Sequence, residues 1–265
     1  LELARALAAR GPKVGVVGHG YRGADATPRV VSDGATIFDT ADKAGDEAIL
    51  LALELPGCPV VVGRDKVAAG RLLEEKFGKR IVLVDSGFQH LRLHRDLDVV
   101  CVTERDLGTR VLPAGVLRES PRALRSAGLI FTDRETDGRL VAKLRQQRPD
   151  AVFAPPRTDF VFFPADGSGL EAPPPSKAFA FCGIGLPERF FKDLAVRGVS
   201  IVARRAFRDH HPFSEQDLRD LARAAEKAEV DAVVITTKDA VRIQTWPSTL
   251  PLLVMAARLD IQDLP

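Results

Sequence analysis

The chain has 265 residues, 45% of them apolar, enough to build one large core or two modest ones. Its 38 Lys and Arg against 36 Asp and Glu leave a net charge of +2, so no global field points to nucleic acid or a strongly anionic surface. Three scattered cysteines, Cys58, Cys101 and Cys182, with no Cys-x-x-Cys step, argue against a disulfide framework or a zinc knuckle and fit a reducing compartment.

No apolar run approaches the roughly 20 residues of a spanning helix, and no signal peptide is visible. The only methionine is Met255, so Leu1 reads as lying downstream of the natural start. LELARALAARG has helical spacing of Leu1, Leu3, Leu7 and Ala8 and stops at Gly11. KVGVVGHGYRG gives a strand at 13–17 running into a glycine-rich turn. AGDEAILLALEL is a helix with Asp46 and Glu47 in its first turn, where the helix dipole favours carboxylates. CPVVVGRDKVAAGRLLEEKFG is strand, turn and helix, and KRIVLVDSG is a further strand ending on Asp85 and breaking at Gly87. LDVVCVT at 97–103 and LIFT at 129–132 add two more strands, followed by the helix GRLVAKLRQQ.

Strands that are apolar throughout and alternate with helices predict a mostly parallel sheet covered on both faces. Residues 155–175 are Pro- and Gly-rich around an FVFF strand and read as linker and hairpin. Beyond them, AFAFCGIGLPERFFKDLAVRG, SIVARRAF, a helix capped by Ser214, and VDAVVITTKDAVRI form a smaller α/β domain. The expected division is a core domain over 1–154, the linker over 155–175 and the smaller domain over 176–265.

No GxxxxGK[ST] phosphate loop occurs. Gly183 and Gly185 in CGIGLPERF resemble the start of a dinucleotide fingerprint but lack its third glycine and downstream acid. Asp85 ends a buried strand, as acids that hold Mg²⁺ often do, or is a turn residue there. Gln89 and His90 follow Gly87 and could face a cleft. In LPAGVLRES, Arg118 and Glu119 pair a fork-shaped donor with a carboxylate, suited to phosphate and metal or to a surface ion pair. FRDHHPF offers two adjacent histidines, one of which could join a carboxylate as a general base. A metal-dependent hydrolase built on Asp46, Asp85, His90 and His210 is a weaker alternative, because none of these has HxH or HExxH spacing.

Taken in order, the runs ALAARGPKVGVVGHGYRG, AGDEAILLA, VVVGRDKVAA, VDSGFQHLRLHRDLDVV, LPAGVLRES, GIGLPERFFKDLAVRGV, FRDHHPF and TTKDAVRI resemble the tetraacyldisaccharide 4'-kinase family. The resemblance covers nearly the whole chain. It implies a P-loop-kinase-like, mostly parallel α/β fold and transfer of the γ-phosphate of ATP, with Mg²⁺, to the 4'-hydroxyl of a tetraacylated glucosamine disaccharide 1-phosphate, the lipid A precursor. It also implies a peripheral protein at the cytoplasmic face of the bacterial inner membrane, with no nucleic-acid partner.

Carried over residue by residue, it makes Asp46 and His210 the catalytic pair and Asp85 and Glu119 the metal acids. Tyr21, Glu47, Arg64, Gln89, His90 and Arg118 line the cleft. The family's phosphate-binding loop would lie before Leu1, and His19, Ser86 and Thr237 stand where Arg, Asp and Glu are usual. Turnover by the chain as given is therefore expected to be impaired, with a non-catalytic remnant that binds the lipid headgroup as the alternative reading.

Overall fold

The computed structural model of the protein describes residues 1–19, 27–103, 106, 109–132, 138–153 and 157–260. Two compact units emerge: Leu1–Asp85 together with Thr158–Leu259, and a second built from Ser86–Arg157. The first unit opens with α1 (Glu2–Ala9), β1 (Val14–Gly18), β2 (Arg29–Ser32), α2 (Ala41–Ala44), α3 (Asp46–Glu54), β3 (Val60–Val62), α4 (Lys66–Phe77) and β4 (Ile81–Val84). The sheet order is β2-β3-β1-β4, with β1 parallel to β3 and β4 and β2 antiparallel on the edge.

Every residue of β1 is buried, because helices cover both faces of its sheet. Val14 and Val16 pack with Ala4 of α1 and with Ala48, Ile49 and Ala52 of α3. Val17 faces the other way, onto Ala69 and Leu73 of α4, as the two-residue period of a strand requires. A Cβ on Gly15 would come within 2.9 Å of Leu73 Cδ1 and 2.7 Å of Arg80 Cδ, so a glycine is needed to let α4 lie this close. Asp65 caps α4, its carboxylate accepting from the N–H groups of Val67 and Ala68.

The second unit contains β5 (Val99–Val102), a 3₁₀ turn (Pro121–Ser126), β6 (Leu129–Thr132), α5 (Gly138–Gln147) and β7 (Val152–Phe153). LDVVCVT and LIFT do not extend the first sheet. They form a separate parallel sheet in the order β5-β6-β7 around Val102, Ala127, Ile130 and Leu144. The cause is local: a parallel return beside β4 needs a covering crossover, normally a helix, and residues 85–98 form turns instead.

The chain then re-enters the first unit as β8 (Arg157–Pro164), β9 (Lys177–Cys182), α6 (Pro187–Val196), β10 (Ser200–Ala206), α7 (Glu215–Lys227), β11 (Ala232–Thr236), α8 (Thr237–Ala240) and β12 (Leu252–Asp260). These strands make a five-stranded sheet in the order β10-β9-β11-β12-β8, parallel from β10 through β12. Alternation along β9 divides its core. Ala178, Ala180 and Cys182 pack with Phe190, Phe191 and Leu194 of α6, while Phe179 and Phe181 pack with Leu218, Leu221 and Ala225 of α7. FVFF, read from sequence as a strand within a linker and hairpin, is the outer strand β8 of this sheet.

Candidate active site

α3 begins at Asp46, immediately after Gly45 at φ +91°. Its acid is 8% exposed, unusual for a carboxylate in a first helical turn, and is held in place from the second sheet of the same unit. Asp46 Oδ2 lies 2.9 Å from His210 Nδ1 and 3.5 Å from Arg242 Nε. His210 adopts a left-handed backbone at φ +58°, a conformation that costs a non-glycine residue on the order of 1 kcal/mol. Its N–H donates to Gly183 O at 3.1 Å, which anchors the turn in that conformation.

The two adjacent histidines have separate tasks. His211 stacks on Phe207 at 4.5 Å and pairs through Nε2 with Asp217 Oδ2 at 3.2 Å. Asp217 and Ser214 form the capping box of α7, so His211 secures a helix start while its neighbour reaches Asp46.

Arg242 binds the site together. Its side chain is 6% exposed and donates to Lys238 O at 3.2 Å, His211 O at 2.9 Å and Gly183 O at 3.1 Å. It also pairs with Asp239 Oδ1 at 2.5 Å. Asp239 is fully buried; it accepts from Gly183 N–H at 2.9 Å and from the Thr236 hydroxyl at 2.6 Å. Burial pushes its carboxyl above the usual range, opposed by those hydrogen bonds and by Arg242. Lys238 reaches Glu47 Oε1 at 3.3 Å and Asp209 Oδ1 at 3.9 Å, tying the second residue of α3 to the same cluster.

The glycines that resembled a dinucleotide fingerprint serve this network instead. A Cβ on Gly183 would meet Arg208 O and His211 Cβ at 3.2 Å, and both polar backbone atoms of Gly183 are engaged inside the site. Nearby, the Cys182 thiol is pushed up to about 12 by burial and by Asp239, which makes it an inert core residue.

Of the other residues expected from sequence, Asp85 is exposed directly after β4, and its N–H donates to Val17 O at 2.9 Å. Ser86 follows in a left-handed conformation at φ +54° and turns the chain out of the strand. Arg64 is exposed in the turn between β3 and α4. Gln89, His90, Arg118 and Glu119 belong to the second unit. There His90 Nε2 is buried without a hydrogen-bond partner among the described residues, and Arg118 is exposed. Tyr21 lies outside the described residues. Among them, no group of three or more His, Cys, Asp or Glu is assembled to hold a metal ion. Sequence reading missed Arg242, Asp239 and Lys238.

Parallel-rich sheets flanked by helices, with an acid–imidazole pair beside a buried arginine, make this an α/β protein, and its fold is P-loop-kinase-like. A crystal structure of LpxK from Aquifex aeolicus in complex with ATP shares the fold at TM-score 0.74 and 24% identity, over 97% of this chain and 78% of that one. The profile of the family described as tetraacyldisaccharide-1-P 4'-kinase matches residues 1–264. Tetraacyldisaccharide 4'-kinase of Geobacter metallireducens is 37% identical over 263 residues, 98% of this chain and 77% of the relative. That of Geobacter sulfurreducens is 39% identical over 267 residues, 99% of this chain and 74% of the relative. The chain belongs to the tetraacyldisaccharide-1-P 4'-kinase family of lipid kinases.

Proposed function

We propose that the protein transfers the γ-phosphate of ATP to the 4'-hydroxyl of tetraacyldisaccharide 1-phosphate, with Asp46 and His210 as its proton-handling pair. The single observation that carries this reading is the 2.9 Å contact between His210 Nδ1 and Asp46 Oδ2. An imidazole donating from Nδ1 fixes the rotation of the carboxylate. Arg242 approaches the same oxygen, which leaves Asp46 Oδ1 for the sugar hydroxyl. As the hydroxyl oxygen bonds to the γ-phosphorus and the bond to the β–γ bridging oxygen breaks, its proton passes to Asp46 Oδ1 and ADP leaves. The family resemblance further assigns Glu47, Arg64, Gln89, His90, Arg118 and Tyr21 to the binding of substrates.

Asp85 and Glu119 are the proposed acids for Mg²⁺, and their chemistry suits it. Mg²⁺ takes one or two carboxylates, completing its shell with phosphates and water, so an exposed acid at the end of β4 is enough and a closed protein cage is not needed. When bound, Mg²⁺ supplies charge neutralisation at the β- and γ-phosphate oxygens. No helix among the described residues is long and apolar enough to cross a membrane. On the family resemblance, the lipid substrate is proposed to be met from the cytoplasmic face of the inner membrane, with the protein bound peripherally.

The test is transfer of ³²P from γ-labelled ATP to disaccharide 1-phosphate by the full-length protein, wild type beside Asp46→Asn. Label in a 4'-phosphorylated lipid, lost in the variant, is expected. Label that stays in ATP or appears only as inorganic phosphate overturns the proposal.

A further inference from the structure

Lys66 opens α4, four residues past the end of β3, and is only 2% exposed. Its Nζ is buried and within hydrogen-bond reach of no acceptor among the described residues. The neighbouring acid, Asp65, is committed to capping the helix. A lysine at the start of a helix normally extends its flexible stem to bring the ammonium to water. Tucking a charged amine away without a partner costs several kcal/mol in general, and a core position of this shape would be filled as well by an apolar chain.

Its place in the fold says what the amine is kept for. β3 and β4 flank β1, and all three point their carboxyl ends to one edge of the sheet. Gly63 N–H donates to Gly18 O beside the end of β1, and Asp85 N–H donates to Val17 O on its other side. Lys66 and Asp85 therefore stand on either side of β1 at the edge where parallel α/β sheets receive ligands. Burial pulls the ammonium down to about 8, and the Asp85 carboxylate is the group that opposes this, so the two charges sense each other across that edge.

We propose that Lys66 is the buried cation of an anion subsite at the carboxyl edge of the first sheet, reserved for a phosphoryl oxygen of a substrate. The subsite rests on the kinase reading for the identity of its ligand, and the nucleotide polyphosphate is the expected occupant, with the sugar 1-phosphate as the other source of the same chemistry. Asp85 on the far side then faces the cation that accompanies those phosphates, and the two residues hold opposite charges of the same ligand.

The experiment compares wild type with Lys66→Met in the full-length protein by two readouts. The first is thermal unfolding without ligand and with ATP, which needs no turnover and so stands even if the lipid is not the acceptor. The second is KM for ATP and for disaccharide 1-phosphate. Expected are a ligand-free midpoint equal to or above that of wild type, a smaller rise on adding ATP, and a KM for ATP about 10- to 100-fold higher, the loss of one charge-assisted hydrogen bond. A rise confined to the KM of the disaccharide supports the subsite with the lipid phosphate as its source. A lower ligand-free midpoint, or unchanged values for both substrates, overturns the proposal.

Discussion

Replacing Arg242 with Met removes the guanidinium that Asp46 and Asp239 share, together with donors to three backbone carbonyls. Asp239 has no access to water, so in the variant a buried carboxylate loses its countercharge, and breaking such a pair costs about 3–5 kcal/mol. The cost depends on pH in a definite direction. The Asp239 carboxyl already lies above its ordinary 3.8 in the fold, so its contribution is fully present below that value and is lost as pH rises through the folded one. Without Arg242, burial acts with less opposition and the loss grows, so the gap between variant and wild type should be large at pH 8 and shrink toward pH 5. Urea unfolding followed by the fluorescence of Trp246, the one tryptophan and part of the second sheet's core, reads this directly. Adding Asp239→Asn to the variant should restore about 1–3 kcal/mol, a coupling that independent sites would not show. A cost below about 1 kcal/mol, or strict additivity of the two substitutions, would refute the claim that Arg242 neutralises this site.

Three further outcomes follow from the same geometry. His210→Gly should be about 1 kcal/mol more stable than His210→Ala in chemical denaturation, because glycine alone is unstrained at φ +58°. Both should lose about 10²–10⁴-fold in kcat, and equal stability of the two would remove the argument for backbone strain. Gly183→Ala places a Cβ 3.2 Å from Arg208 O and His211 Cβ, so the His210 turn must shift by a few tenths of an ångström. Steady-state kinetics should show kcat down about tenfold or more with KM little changed. Asp217→Asn weakens the cap of α7, for about 1 kcal/mol at neutral pH. Hydrogen bonds from Ser214 hold the Asp217 carboxyl below 3.8 in the fold, so its contribution is present above that pH and fades as acid drives it through the folded value. Wild-type and variant melting curves should therefore converge in acid.

Most of the strands and helices were legible because apolar runs broken by glycine or capped by Asp and Ser are local signals. What the sequence did not reveal was which strand pairs with which. LDVVCVT has the composition of β1 and β4, yet it belongs to another sheet, since the segment before it carries turns where a crossover helix would be needed. FVFF was legible as a strand, but the prolines and glycines around it hid its place in the second sheet, although an edge strand is where a sheet tolerates such neighbours. RVVS and LLVMAARLD passed unnoticed for different reasons. The first is only four residues long, and the second alternates imperfectly because it is buried from both sides over its first half.

The site was legible only as far as its residues resembled a family. By composition alone, Asp46 is a carboxylate that suits a helix start, and nothing local distinguishes His210 from His211. The structure separates them through a backbone torsion. The left-handed turn at His210 and the stacking of His211 on Phe207 send two adjacent rings to different partners, one to the capping box of α7 and one to α3. Arg242 and Lys66 escaped notice for the opposite reason, since a basic residue at the end of a helix is ordinarily solvated. Arg242 turns inward because its acceptors are mostly backbone carbonyls, which carry no sequence signature, and the strained His210 turn ends on one of the same carbonyls, Gly183 O. The proposed catalytic pair thus depends on backbone groups that any residue could supply, at a position, Gly183, where a Cβ would crowd Arg208 O and His211 Cβ.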